Sequence, residues 1–329
     1  ASRAFRRLTG DAWVFDPIGA WVRVVAMAAA LAIGVATGRI VPATLAASGA
    51  FFVGFGAPMD LFESDPLRLM VVSLLSGLWA IVGSVAATHA VIVVLVAAVL
   101  GALCGVAASR DAGRAWIAVQ CALAGVIATS YPASLAAAAT RAEFLLVGGF
   151  AQAIVLSVAR VAWRRAPPSA EADARPAPGY ALHLAIGLGL AMTLERAFQM
   201  RYGYWVPMTT LLVLRPGTRQ TMLRAVSRTL GTLGGLALAS AVIANLHPSR
   251  PAIAALVLTS AAGTYLFQKA SYGLFSCCVT VYAVAVLAFL GQTGHDVAVA
   301  RIVATLLGAA IGLGVQLVDS IVVIVDRGD

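Results

Sequence analysis

Charge is what this sequence has least of. Asp, Glu, Lys and Arg together make up 11% of its 329 residues, against 61% hydrophobic residues, whereas a soluble domain carries about a quarter charged residues. With a mean hydropathy of +0.92, that shortage of polar surface excludes a water-soluble globular domain, so the solvent is lipid. Acids are scarcer than bases, 14 Asp and Glu against 23 Lys and Arg, and lysine is almost missing: every basic residue but Lys269 is an arginine. Abundant Ala and Arg point to a GC-rich bacterial genome. The net charge of +9 is scattered between apolar runs, without the basic, aromatic-interleaved patch that nucleic acid requires, so no nucleic-acid partner is expected.

Chemistry-bearing clusters are lacking too. Cys104, Cys121, Cys277 and Cys278 fall inside apolar runs with no CxxC spacing and no His cluster nearby, which reads as packing and gives no metal site. Nothing assembles a nucleophile with its base or a glycine-rich phosphate loop before a helix, so the reading is not an enzyme, with no catalytic residue and no cofactor. A Walker motif is absent, which leaves an ion gradient or the membrane potential as the energy source. The N-terminal stretch Ala1 to Pro17 carries Arg3, Arg6 and Arg7 without a cleavable signal pattern; it reads as an interfacial segment with Trp13 and Phe15 at the headgroups.

What the sequence does have is long apolar runs, at 18–38, 41–57, 68–87, 89–108, 114–131, 141–163, 180–199, 204–215, 222–244, 251–268, 270–290 and 297–325. At about 20 residues per span these predict an all-α integral membrane protein of about 12 transmembrane helices. The runs at 41–57 and 204–215 are short and end at Pro58 and Pro216, as a tilted, broken or re-entrant helix does. The one long polar stretch, Arg164 to Gly179, reads as a cytoplasmic linker. It separates a first six-helix repeat, 1–163, from a second, 180–329. Leu67, Arg68, Leu74 and Ser84 match Leu223, Arg224, Leu230 and Ser240 at one offset (224 − 68 = 156), and Arg141 and Gly148 match Arg301 and Gly308 at another (301 − 141 = 160). An even number of spans per half makes the repeats parallel, related by an axis along the membrane normal. With the N-terminus inside, Arg110, Arg114, Arg164, Arg165, Arg215 and Arg219 fall on the cytoplasmic side, and the smaller group Arg39, Arg141, Arg196, Arg201, Arg250 and Arg301 falls outside. That bias predicts both termini in the cytoplasm of a multi-pass bacterial inner-membrane protein.

The segment Tyr204 to Gly235 holds Tyr204, Trp205 and Pro207, then Arg215-Pro216, then Arg224, Arg228 and Gly231-Thr232. It resembles the signature of the fusaric acid resistance protein-like family, which includes bacterial aromatic acid exporters and is distantly similar to plant aluminium-activated malate transporters. The resemblance implies a six-span unit used twice and the export of small organic acids. Many members carry a substantial cytoplasmic domain after each six-span unit; between its two units this sequence has only the short linker.

The residues support an anion route on their own terms. Arg224 and Arg228 lie four apart on one helical face, continued by Gly231 and Gly235, and Arg68 repeats the first of them in the other half. An arginine deep in lipid costs about 2.5 to 3.5 kcal/mol, so these face either a hydrated cavity or the headgroups, as snorkelling anchors do. Arg301, Thr305, Gly308, Gly312, Gln316 and Asp319 form a polar and small stripe in the last run, which fits either a tight helix crossing or a water-lined face. Its counterpart in the first half is Arg141, Leu145, Gly148, Gln152, Leu156 and Ala159, which lacks the acid. His183 stands where Arg23 stands in the first run; a titratable histidine suits proton relay and also simple packing. Tyr204 and Trp205 suit stacking on an aromatic substrate or an interfacial belt. Glu143 and Glu195 read as solvated carboxylates at outer helix ends.

The function this predicts is efflux of small aromatic organic-acid anions driven by the proton gradient. Arg23, Arg68, Arg224, Arg228, Tyr204, Trp205 and Arg301 are the substrate-binding candidates, and Asp319 and His183 the proton-coupling ones. The alternatives are a passive organic-anion channel and a non-transport membrane scaffold. The partners expected are the organic anion and the lipid bilayer, with a second copy of the chain or a periplasmic adaptor protein as assembly partners.

Overall fold

The computed structural model describes residues 16–56, 66–162, 179–246 and 248–326, and side chains at these positions except 160–162, 246 and 319–326. The N-terminal interfacial segment, nearly all of the linker and the side chain of Asp319 therefore lie outside the described residues. Among the described residues the chain is all-helical, with no strand.

Its helices are α1 (Pro17–Val22), α2 (Val25–Thr37), α3 (Ile40–Gly54), α4 (Pro66–Ala86), α5 (Ala90–Ala108), α6 (Ala112–Ala128), α7 (Leu135–Ala162), α8 (Tyr180–Ala197), α9 (Trp205–Val213), α10 (Thr218–Leu246), α11 (Arg250–Phe267), α12 (Tyr272–Phe289) and α13 (His295–Asp326). Seven of these, α4, α5, α7, α10, α11, α12 and α13, are long and apolar enough to cross a membrane. Local signals set their ends. Asp16 accepts the Gly19 N–H at 2.9 Å ahead of Pro17, Asp111 accepts the Arg114 N–H at 2.7 Å, and Gly38 closes α2 in the left-handed region at φ 71°.

Polarity is inverted relative to a soluble protein. Val91 is 72% exposed and Leu230 64%, while Arg228, Arg301 and Gln152 are at 0%. An apolar surface over a polar interior is what a hydrocarbon solvent selects, because lipid solvates leucine and not guanidinium.

The chain divides into two compact units, and each draws on both sequence halves. The first comprises residues 1–70, 144–167 and 230–298, hence α1 to α3, the later parts of α7 and α10, and α11 and α12. The second comprises 71–143, 168–229 and 299–329, hence α4 after Met70, α5, α6, the start of α7, α8, α9, the start of α10 and most of α13. Close helix approach holds each. In the second unit, a Cβ at Gly101 or Gly105 of α5 would meet the α8 backbone at Leu184 or Ala181, so the Gly101-to-Gly105 spacing is a packing device. In the first, Gly231 and Gly235 of α10 face the α12 backbone at Gly273 and Cys277.

The apolar run at 18–38 is not one helix. It breaks after Arg23, which is still right-handed helical at φ −71° and ψ −11°, at Val24, whose φ of −106° and ψ of 2° leave the helical region. In a continuous helix the Ala26 N–H would donate to the Val22 carbonyl. Here the Gln152 amide of α7 takes both places: its Oε1 accepts from Ala26 N and its Nε2 donates to Val22 O, each at 3.3 Å. An inserted side chain is an ordinary cause of a helix break, and this one leaves neither backbone group unsatisfied.

Candidate anion-binding centre

In the second unit, Pro216 and two residues with positive φ cut the apolar run at 204–215 down to α9, nine residues long. At 1.5 Å per residue that is roughly 13 Å, less than half the hydrocarbon thickness of about 30 Å. Tyr202, at φ 57°, precedes it and Gly217, at φ 104°, follows. Three of the peptide groups freed at its end find side-chain partners. The Tyr180 hydroxyl donates to Leu214 O at 3.0 Å, and the Thr221 hydroxyl accepts from Arg215 N and donates to Arg215 O, both at 3.0 Å. Every α9 residue except Leu212 is buried, as irregular backbone at membrane depth requires.

The polar stripe of α13 packs against this short helix. Gly308 faces Val206 O and Thr209, Gly312 faces Val213 and Leu214 at 3.6 to 3.8 Å from an ideal Cβ, and the Thr210 hydroxyl lies 3.2 Å from Gly308 O. Arg301, Thr305, Gly308, Gly312 and Gln316 are all buried. The stripe is thus a helix crossing, and it carries a guanidinium into that crossing. Arg301 lies over the Trp205 ring, 4.7 Å from its centroid, with both side chains at 1% exposure or less. A desolvated cation over an indole is worth about 2 kcal/mol.

Around Trp205 the aromatics accumulate. Tyr202 stacks on it at 5.3 Å and 25°, and Tyr204 sits 5.4 Å away, sharing a side-chain hydrogen bond with it and feeling the Arg301 charge. Arg201 stands 5.3 Å over Tyr202. Arg196 donates to Thr129 O at 2.8 Å and pairs with Glu195 at 3.1 Å, and Arg141 donates to Tyr131 O at 2.7 Å.

Arg228 enters the same unit from α10 and is fully buried. Ala225, one turn before it, packs with Val213 of α9 and Ala309 of α13, and residues three apart share a helix face. Arg224 is half-buried and, with Arg215, acts electrostatically on Tyr180. Arg68 is exposed in the first turn of α4, in the first unit, and His183 is half-buried on α8. The structure therefore gathers Arg301, Arg228, Arg224, Tyr204 and Trp205 in one unit and leaves Arg68 out of it.

Among the described residues, Arg23 is the buried guanidinium of the first unit. It sits at the α1–α2 break, 6% exposed and 5.8 Å over the Tyr265 ring. Tyr265 donates to Phe51 O at 2.8 Å, and Phe51 stacks on Tyr282 at 4.1 Å. Sequence reading missed the support from Gln152, Tyr265 and Tyr202. Gln152 alone left a signal, as an amide at helical spacing in an apolar run.

Residues 190–315, which include α9, the arginines of α10 and the Arg301 stripe as far as Gly312, match the fusaric acid resistance protein-like family. The chain is 31% identical over 139 residues to the uncharacterized protein YhfK of Escherichia coli K12, covering 42% of this chain and 20% of that protein. It is 30% identical over 135 residues to an uncharacterized protein of Haemophilus influenzae, with 40% and 18% covered. With the inner membrane protein YccS of Escherichia coli K12 it shares 27% identity over 132 residues, again 40% and 18% covered. The chain spans about a fifth of the length of these relatives. No solved structure matches.

Proposed function

We propose, on the premise that residues 190–315 belong to the fusaric acid resistance protein-like family, that this chain is a multi-pass bacterial inner-membrane transporter exporting small aromatic organic-acid anions. The observation that carries the reading is Arg301, a guanidinium with no exposed surface held over Trp205 beside a broken helix. A permanent charge kept at the heart of an apolar, all-helical unit marks a substrate or ion path before it marks stability, because an apolar residue there costs less. The aromatic faces around it suit a ring and the arginine suits its carboxylate. Arg228, with Arg224 one turn earlier, supplies the same charge from α10, and Arg23 over Tyr265 does so in the first unit.

Twelve spans in two parallel repeats, 1–163 and 180–329, joined by a cytoplasmic linker at 164–179, complete the reading, with both termini cytoplasmic by the positive-inside bias. Support comes from contacts that repeat at the 160-residue offset. Gly148 of α7 faces Ala46 O of α3 in one unit, and Gly308 of α13 faces Val206 O of α9 in the other. Asp319 and His183 are the proposed proton carriers. A second copy of the chain or a periplasmic adaptor protein is the assembly partner this reading admits. The relative named an inner membrane protein supports the location.

The test is efflux of hydroxybenzoate from proteoliposomes with and without a pH gradient. Gradient-driven accumulation supports proton-coupled export, a gradient-independent current replaces it with a channel, and no flux leaves the scaffold. Asp319→Asn is expected to bind the anion and lose uphill transport; uphill transport by that variant removes Asp319 from the coupling.

A further inference from the structure

Serine and threonine hydroxyls inside membrane helices ordinarily donate to the carbonyl four residues back. This chain follows the habit at Thr193, Thr210, Thr229, Thr264 and Thr280, with distances of 2.8 to 3.1 Å. Among the described residues, three buried threonines have a hydroxyl with no hydrogen-bond partner: Thr232 of α10, and Thr209 and Thr305, which alone of the three stand at the α9–α13 crossing. Thr209 and Thr305 are at 0% and 1% exposure. A buried hydroxyl left unused costs free energy, so one in a folded protein calls for an explanation, of which a ligand is one.

Their places supply that explanation. Thr305 lies one turn beyond Arg301 on the buried face of α13, and Thr209 one turn beyond Trp205 on α9, beside Gly308. The two residues that precede them by a turn are the cation–aromatic pair. The first unit has the same crossing 160 residues earlier, and there the equivalents of Thr209 and Thr305 are Gly49 and Leu145 (209 − 160 = 49, 305 − 160 = 145). Gly49 packs directly against the Leu145 backbone, so at these two positions that crossing offers no hydroxyl. The second unit keeps two donors at the same two positions.

We propose that Thr209 and Thr305 are anion-binding residues, whose hydroxyls donate to the carboxylate oxygens of a monoanionic organic acid held by Arg301 at the α9–α13 crossing. The inference rests on the transport reading above and adds to it the contacts that recognise the carboxylate. Two O–H donors and a guanidinium satisfy a group that only accepts hydrogen bonds, and they leave a neutral amide or alcohol poorly matched.

The experiment uses the full chain in detergent, with benzoate as the probe in calorimetric titration and benzamide as its neutral counterpart. Thr209→Val and Thr305→Val keep the side-chain shape and are each expected to weaken benzoate binding roughly tenfold. Thr209→Ser and Thr305→Ser restore it, and Thr193→Val, whose hydroxyl is committed to Gly189 O, binds like the wild type. Without ligand the two valine variants should melt no lower than the wild type, since they remove an unused buried hydroxyl. Wild-type affinity in both valine variants, equal binding of benzamide, or a lower melting temperature without ligand overturns the inference while leaving benzoate binding by the wild type, and with it the transport reading, intact. A wild-type chain that neither binds benzoate nor moves it across proteoliposomes sinks both.

Discussion

Gln152 bridges Ala26 and Val22: its Oε1 accepts the Ala26 N–H, its Nε2 donates to the Val22 carbonyl, and both contacts are 3.3 Å. The amide takes both places of a helical hydrogen bond that the α1–α2 break removes, and the break is where Arg23 sits over the Tyr265 ring.

Replacing Gln152 by Leu should therefore cost about 1 to 3 kcal/mol, the penalty for leaving buried backbone groups unmade. Gln152→Glu keeps the acceptor for Ala26 but turns the donor into a second acceptor facing the Val22 carbonyl and buries a carboxylate, so it should fall at least as far. Thermal melts of both variants in detergent check the order; a leucine variant as stable as the wild type contradicts the bridging role.

Trp205 carries the Arg301 guanidinium and the Tyr202 ring on one indole. Truncation to Ala should destabilise the protein by about 3 to 5 kcal/mol, as for other buried aromatics. Trp205→Phe retains a ring and should keep most of that stability while weakening the cation–aromatic contact. Melting temperature and hydroxybenzoate efflux, measured side by side, separate the two contributions.

Arg228 is fully buried and Arg68 is exposed, although the sequence pairs Arg68 with Arg224 one turn from Arg228. Arg228→Gln should lower hydroxybenzoate transport by about tenfold or more, the effect of losing a charge-assisted contact. Arg68→Gln should stay within about twofold. Equal losses in the two variants would put both arginines in the same role, as surface anchors.

An added Cβ at Gly308 would stand 2.7 Å from both Val206 O and the Thr209 Cβ, closer than real side-chain contacts allow. Gly308→Ala should then push α13 away from α9 and cost about 1 to 3 kcal/mol. Gly314, which has nothing within 4 Å of such an atom, is the control position on the same helix. A similar melt for Gly308→Ala and Gly314→Ala would mean the crossing is loose.

Several features were legible before any coordinates. Arg301, Thr305, Gly308, Gly312 and Gln316 fall on one helical face by spacing alone, and the structure buries all five. The short run ending at Pro216 marked a tilted, broken or re-entrant helix, because proline removes a donor and restricts its neighbour wherever the chain goes. Arg224 and Arg228 show where that reasoning stops. Spacing puts them on one face, yet one is half-buried and the other wholly so, since depth depends on how Ala225 meets Val213 and Ala309. Gln152 was still less legible: its two partners lie 126 and 130 residues away in the sequence.

Composition and periodicity thus suffice for the lipid solvent, the all-helical class and the shared face of the Arg301 stripe, because those follow from transfer free energy and a 3.6-residue repeat acting within one segment. Which guanidinium rests on which ring, which hydroxyls go unused and which amide mends a broken helix came from the fold. Those contacts join segments far apart along the chain, and their distances exist only once helices from both halves have packed into the same unit.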